Sequence, residues 1–229
     1  MSQKQMLHIL NGQAMYDFYK ETDFLKGERI VPFNEAMCYG DTSEELFSKE
    51  FIHSRSEVHH VTEEDYINHT LKPLQPLFNR EFTDIVLWFD EDMFCQINLL
   101  TVLAWLDQID YTEAVEIYLV GDKFVPISHF VVNAKGYFAI YEQVMIHKKL
   151  PENIYPAPLK RGVELYLNYL HEDSDLIRYI EEHGDVPEEA LVFQLINKFK
   201  EYGLGDTQYL EIIKHQRQNQ QLIKKRDDS

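Results

Sequence analysis

Four short, almost unbroken apolar runs constrain this chain more than any other feature: residues 6–10, 29–33, 84–89 and 115–120. Each is rich in Ile, Val, Leu or aromatic side chains, and none keeps the alternation of a strand with one wet face. Such runs suit strands covered on both faces, as in a parallel sheet. Helical patterns separate them, so the order strand, helix, strand, helices, strand, helix, strand predicts right-handed crossover units. The expected class is α/β, with an open Rossmann-like, mostly parallel sheet of about four strands, followed by an all-helical C-terminal domain.

The crossover helices carry their own signals. The first covers about 14–20. The second connection holds two helices, one starting after Thr42-Ser43 with Glu44 and Glu45 in its first turn. The other starts at Thr62, where Thr62 and Asp65 stand at capping-box spacing. The third, 93–107, is apolar almost all round, which predicts cover on two sides, the sheet on one and another helical layer on the other. After residue 120 the chain turns through Gly121-Asp122, runs irregularly to about Asn133 and forms a helix to about Lys149. Pro151, Pro156 and Pro158 mark a boundary between domains at 1–150 and 151–229. Helices follow over 159–170, over 175–182 with Ser174 as cap, from Asp185 with Pro187 in its first turn toward Gly203, and over 207–223 with Asp206 as cap.

Composition narrows the functions open to such a fold. The 229 residues carry a net charge of −17, which repels nucleic acid and anionic membrane over most of the surface. The one basic concentration, Lys214, Arg217 and Lys224-Lys225-Arg226, reads as a solvated helix and tail more readily than as a nucleic-acid contact. No apolar run approaches the roughly 20 residues that span a bilayer, and the first residues lack a signal-peptide core, so a cytoplasmic location is expected. Cys38 and Cys95 make neither a disulfide framework nor a zinc set.

Ligands of open parallel sheets bind beyond the carboxyl ends of the strands. Those ends read Asn11-Gly12-Gln13, Asn34-Glu35, Asp90-Glu91-Asp92 and Gly121-Asp122, so three of four bring carboxylates to one rim. Asn11-Gly12 is either an anion-facing backbone turn or a plain strand-to-helix turn. The GxGxxG and P-loop patterns are missing. Asp90 and Asp92 suit a divalent cation such as Mg²⁺, with Glu35 as a third oxygen ligand; they equally suit the N-terminus of the following helix. Gln96 is expected on the same rim, one turn into that helix. His8, inside the first strand, reads as a hydrogen-bonded core histidine, and His59-His60 find no partner at metal-ligand spacing.

Several segments together resemble a known family. His8-Ile-Leu-Asn-Gly12, Asn34-Glu-Ala-Met-Cys-Tyr-Gly40, Val86-Leu-Trp-Phe-Asp-Glu-Asp-Met-Phe-Cys-Gln96 and Tyr202-Gly-Leu-Gly-Asp-Thr-Gln-Tyr-Leu210 are similar to stretches of the bacterial domain of unknown function 1835 family. Gln13 stands where that family has Asp, Asp90 where it has Glu, and Cys95 where it has Asp. Pro126-Ile-Ser-His-Phe130 replaces its Gly-Leu-Gly-Gln-Leu stretch. The resemblance implies a two-domain bacterial protein and points to Asn11, Gly12, Glu35, Asp90, Asp92 and Gln96. It implies no reaction.

Two functions stay open on these grounds. One is a ligand-binding or metal-dependent enzyme for a phosphorylated or nucleotide-like small molecule. In it Glu35 and Asp90 are acid–base groups, Asp90 and Asp92 hold the metal, and Asn11, Gly12, Gln13 and Gln96 face the ligand. The other is a non-catalytic regulatory module that engages a protein partner through a C-terminal helix-turn-helix.

Overall fold

The computed structural model describes residues 5–227, with side chains described as far as Asn219; the Lys224-Lys225-Arg226 run therefore lies outside the described side chains. The chain forms an α/β structure around a five-stranded sheet. Its strands are β1 (Met6–Leu10), β2 (Arg29–Pro32), β3 (Asp84–Asp90), β4 (Ala114–Val120) and β5 (Pro126–Asn133), in the order β2-β1-β3-β4-β5. The first four are parallel and β5 runs antiparallel to β4. β5 corrects the expectation of an irregular stretch there. It is an edge strand whose burial alternates between half-buried and exposed, so a search for continuously apolar runs passes over it.

Helix α1 (Gln13–Glu21) links β1 to β2, and α5 (Met93–Gln108) links β3 to β4. They lie on opposite faces. Met15 and Tyr19 of α1 pack with Leu10, Val86 and Trp88, whereas α5 packs with the alternate residues Ile9, Leu87 and Phe89. Thirteen side chains of α5 are buried, and its outer side is covered by α6 (Tyr137–Tyr141) and α7 (Ala157–Tyr169). That fulfils the two-sided cover expected of a helix apolar all round. At the α5–α7 crossing stands Gly162. A Cβ there would sit 2.4 Å from Cβ of Gln96.

Between β2 and β3, α2 spans Lys49–Val58, and α3 (Glu63–Tyr66) continues through a π turn, Ile67–Leu71, and a 3₁₀ turn into α4 (Gln75–Phe78). Thr62 caps α3 by accepting from Asp65 N–H at 3.1 Å, as its spacing predicts. The first helix of this connection starts later than Thr42-Ser43. Phe47 adopts a left-handed φ of 58°, which no helix continues through, and Ser48 becomes the cap. The remaining helices are α8 (Asp175–Glu182), capped by Ser174, α9 (Glu188–Lys198) and α10 (Asp206–Asp227). Pro187, not Asp185, occupies the cap position of α9. One apolar core runs from the sheet through α5 into α7, α8, α9 and α10. Among the described residues no helix is long and apolar enough to cross a membrane.

Two polar residues singled out in the sequence are structural. His8 is buried and its Nδ1 accepts a 3.0 Å bond from the Trp88 indole N–H, while burial lowers its pKa. Arg217 donates to the carbonyls of Gly184 and Val186 and pairs with Glu188, which ties α10 to the α8–α9 connection.

Candidate functional site

Neighbouring strands β1 and β3 send their helices to opposite faces, which opens a crevice beyond their carboxyl ends. A cleft of about 610 Å³ lies beside it, beyond β1 and β2, walled by Asn11 and Gly12 after β1, Asn34 and Glu35 after β2, Phe94 at the start of α5, and His59 and Tyr66. Gly12 holds the N-cap of α1 with φ 89° and makes no side-chain cap. That backbone conformation needs glycine, although a Cβ would meet nothing within 4 Å. Uncapped, α1 leaves its first N–H groups without intrahelical partners at the cleft wall. They sit at the positive end of the helix dipole.

Glu35 does not stand free at this rim. Its side chain is fully buried, and Oε1 accepts from Ala36 N–H at 2.7 Å, Arg55 at 2.8 Å and His59 Nε2 at 2.6 Å; Oε2 accepts from the Tyr66 hydroxyl. Burial alone would raise its pKa. The hydrogen bonds from His59 and Arg55, with the guanidinium charge, outweigh burial and bring it down to about 2. A carboxylate held ionised by four donors is a poor proton shuttle, so the expected acid–base role of Glu35 gives way to a positioning one. Arg55, fully buried, also donates to the carbonyls of Ala36, Tyr39 and Asp41 and so shapes the whole loop after β2.

The network delivers His59 to the cleft. Because an ionised Glu35 only accepts, His59 Nε2 carries a proton toward it. The ring stacks on Tyr66 at 6.0 Å between centroids, its side chain is 31% exposed, and Nδ1 has no hydrogen bond among the described residues. A carboxylate-held imidazole with one open nitrogen can accept or deliver a proton. Sequence reasoning passed over His59 because it sought metal-ligand spacing, and the pairing with Glu35 spans 24 residues.

Asp90 and Asp92 form a second, separate group with Cys95, their ligand-type atoms lying within 4.8 Å of one another. Asp92 caps α5 by accepting from Cys95 N–H at 2.8 Å, and Cys95 Sγ lies 3.3 Å from Asp92 and 3.9 Å from Asp90. The three-carboxylate centre expected from the strand ends is therefore not formed. Asn11 joins the two groups instead: its amide donates to Cys95 Sγ at 2.8 Å, and its Oδ1 accepts from Asn98 at 3.0 Å. Asn98 also donates to the Glu35 carbonyl and accepts from Met37 N–H. Asn98, a polar residue within the mostly apolar run of α5, was the available signal for this clamp.

Two further expectations change. Gln96 is not on the open rim; it is fully buried under α7 and donates to the Asp90 carbonyl at 2.6 Å. Gln13 is exposed on α1, bonded to Asp17 and Asn34, and does not line the cleft.

Burial, and then the charge of Asp92, pushes Asp90 up to about 7; burial likewise raises Asp92 and drives the Cys95 thiol well above its usual range. A carboxyl raised in the folded state stabilises fully below its unfolded pKa, and that contribution is lost as pH rises through the folded value. Between about pH 4 and 7, the stability advantage of Asp90→Asn over wild type is expected to grow with pH, approaching about 1.4 kcal/mol per unit. Urea titrations of both proteins in chelator across this range check it, and parallel curves would contradict it.

Comparison with family models, curated proteins and solved structures yields no match to this chain.

Proposed function

We propose that the chain binds a small molecule with an apolar body and a phosphate-like anionic group in the cleft beyond β1 and β2, and that His59 exchanges a proton with it. The observation that carries this reading is the meeting of an uncapped helix N-terminus at Gly12 and a Glu35-held imidazole in one cleft. Phe33, Tyr66 and Phe94 supply walls for a ring or base, while the N-terminus of α1 receives the anion. On this reading the sheet is Rossmann-like in use, taking its ligand beyond the strand ends near the point where the strand order reverses. The helices from Ala157 onward are a C-terminal domain that braces α5, and the likeness to the domain of unknown function 1835 family reflects common descent. Asp90 and Asp92 are its cation ligands, next to the anion through Asn11. The Cys95 sulfur at the same spot suits Zn²⁺ better than Mg²⁺.

A thermal-shift panel of AMP, a sugar phosphate and inorganic phosphate, with and without each cation, tests the reading. A ligand at 100 times its Kd adds about 2.7 kcal/mol of stability. The expected result is a rise in Tm for wild type that Gly12→Val loses. No stabilisation by any probe, or an equal rise in Gly12→Val, would contradict it. The second reading, a module that engages a protein partner, is favoured by Phe193 and Ile196, 70% and 37% exposed one turn apart on α9.

A further inference from the structure

A second cavity of about 610 Å³ lies on the other side of the π turn at Ile67–Leu71. The turn divides its side chains between the two: His69 and Thr70 line the cleft already described, whereas Ile67, Asn68 and Leu71 line this groove. π turns are rare and occur frequently at functional sites.

The floor is aromatic. Phe47, Phe78 and Trp105 meet edge-on or tilted at 5.2–5.9 Å. Phe47 is held there by a left-handed backbone, φ 58°, which disfavours a bulky residue and persists only where the surroundings impose it. Ile67 adds an apolar wall that is 40% exposed.

Charge at the groove departs from the rest of the molecule. The chain has 39 acidic and 22 basic side chains, yet among the described residues no carboxylate lines this cavity and a single ammonium, Lys72, does. Lys72 is exposed and has no ion pair among the described residues. A cation without an ion pair at an aromatic pocket whose described lining holds no carboxylate selects an amphipathic anion.

We propose that this groove is a binding site for a small amphipathic carboxylate, its hydrocarbon body against Phe47, Phe78 and Trp105 and its carboxylate on Lys72. The site is independent of the cleft and of the function assigned to the cleft.

Decanoate, with decanol as its uncharged counterpart, is the probe. Trp105 and Trp88 are the two tryptophans of the chain, and only Trp105 lines the groove, so the Trp88→Phe protein reports binding through Trp105 fluorescence. Calorimetry on wild type gives the same affinity should Trp88→Phe fold poorly. The expected result is a saturable change with decanoate, weakened about tenfold by Lys72→Gln. Decanol binding is expected to be the same in both proteins. Lys72 is a surface position, so its replacement leaves the fold intact. Decanoate that fails to bind saturably, or binds Lys72→Gln as tightly as wild type, would overturn the proposal. So would binding that Gly12→Val abolishes, since that would place decanoate in the cleft. Failure of the phosphate panel at the cleft leaves these outcomes unchanged.

Discussion

Glu35→Ala is expected to lower folding stability by about 3–5 kcal/mol, the cost of leaving one partner of a buried ion pair uncompensated. Arg55 would then keep a charge with no exposed surface and no counter-ion, and the Tyr66 hydroxyl and His59 would each lose an acceptor. Urea unfolding reads the change directly, at unchanged m-value if only stability moves. Removing both charges, as Glu35→Leu with Arg55→Met, is expected to recover a large part of the loss, because the desolvation cost disappears with the pair. The same pair sets an acid limit. Glu35 is depressed to about 2 in the folded protein, so its contribution is complete above its ordinary pKa and is lost as pH falls through that of the folded state. A Glu35→Ala protein within about 0.5 kcal/mol of wild type would mean that water reaches Arg55 and the network is ornamental.

Gly162→Val is expected to cost about 3 kcal/mol or more, at the upper end of overpacking effects. The hydrogen of Gly162 is what lets α7 approach α5, since even a single Cβ would stand 2.4 Å from Gln96 Cβ and 3.7 Å from its Cα. Backbone near the contact prevents the neighbour from swinging aside as a flexible side chain would. Gln96 is pinned besides, its amide bonded to the Asp90 carbonyl. The consequence reaches past stability. Displacing α7 tilts the start of α5, which carries Asp92, Cys95 and Asn98, the residues that hold Asn11 and the loop after β2. Gly162→Val is therefore expected to weaken ligand binding at the cleft although it lies outside it. Gly162→Ala should show a smaller loss in the same direction, and a wild-type melting temperature in either variant would contradict the crossing geometry.

The parallel strands and α5 were legible in the sequence because each declares itself locally. Buried strands are continuous apolar runs, and α5 is apolar all round with Asp92 at its start. β5 was not legible by that criterion, since an edge strand alternates and borrows half its cover. The late start of α2 was hidden by Phe47, whose left-handed backbone no propensity would suggest. At the site, the strand-end rule found Asn11, Gly12 and the acidic residues, yet it could not say which of them meet. Strand ends alone group Glu35 with Asp90 and Asp92, although β1 stands between their strands. The true partners of Glu35 are Arg55, His59 and Tyr66, from helices 20 to 31 residues onward, and such pairings depend on how α2 and α3 dock. Gln96 illustrates the same gap: its place one turn into α5 was right, and its burial depended on a glycine 66 positions away.

On the proposed function, the cleft receives an anionic ligand between the N-terminus of α1 and His59. An amide and imidazole NMR titration with AMP tests it most directly. Saturable shifts are expected in the backbone N–H signals of Gly12, Gln13 and Ala14 together with the His59 ring, at one common affinity. Shifts confined to residues away from this cleft, or none at all where the protein is folded, would contradict it.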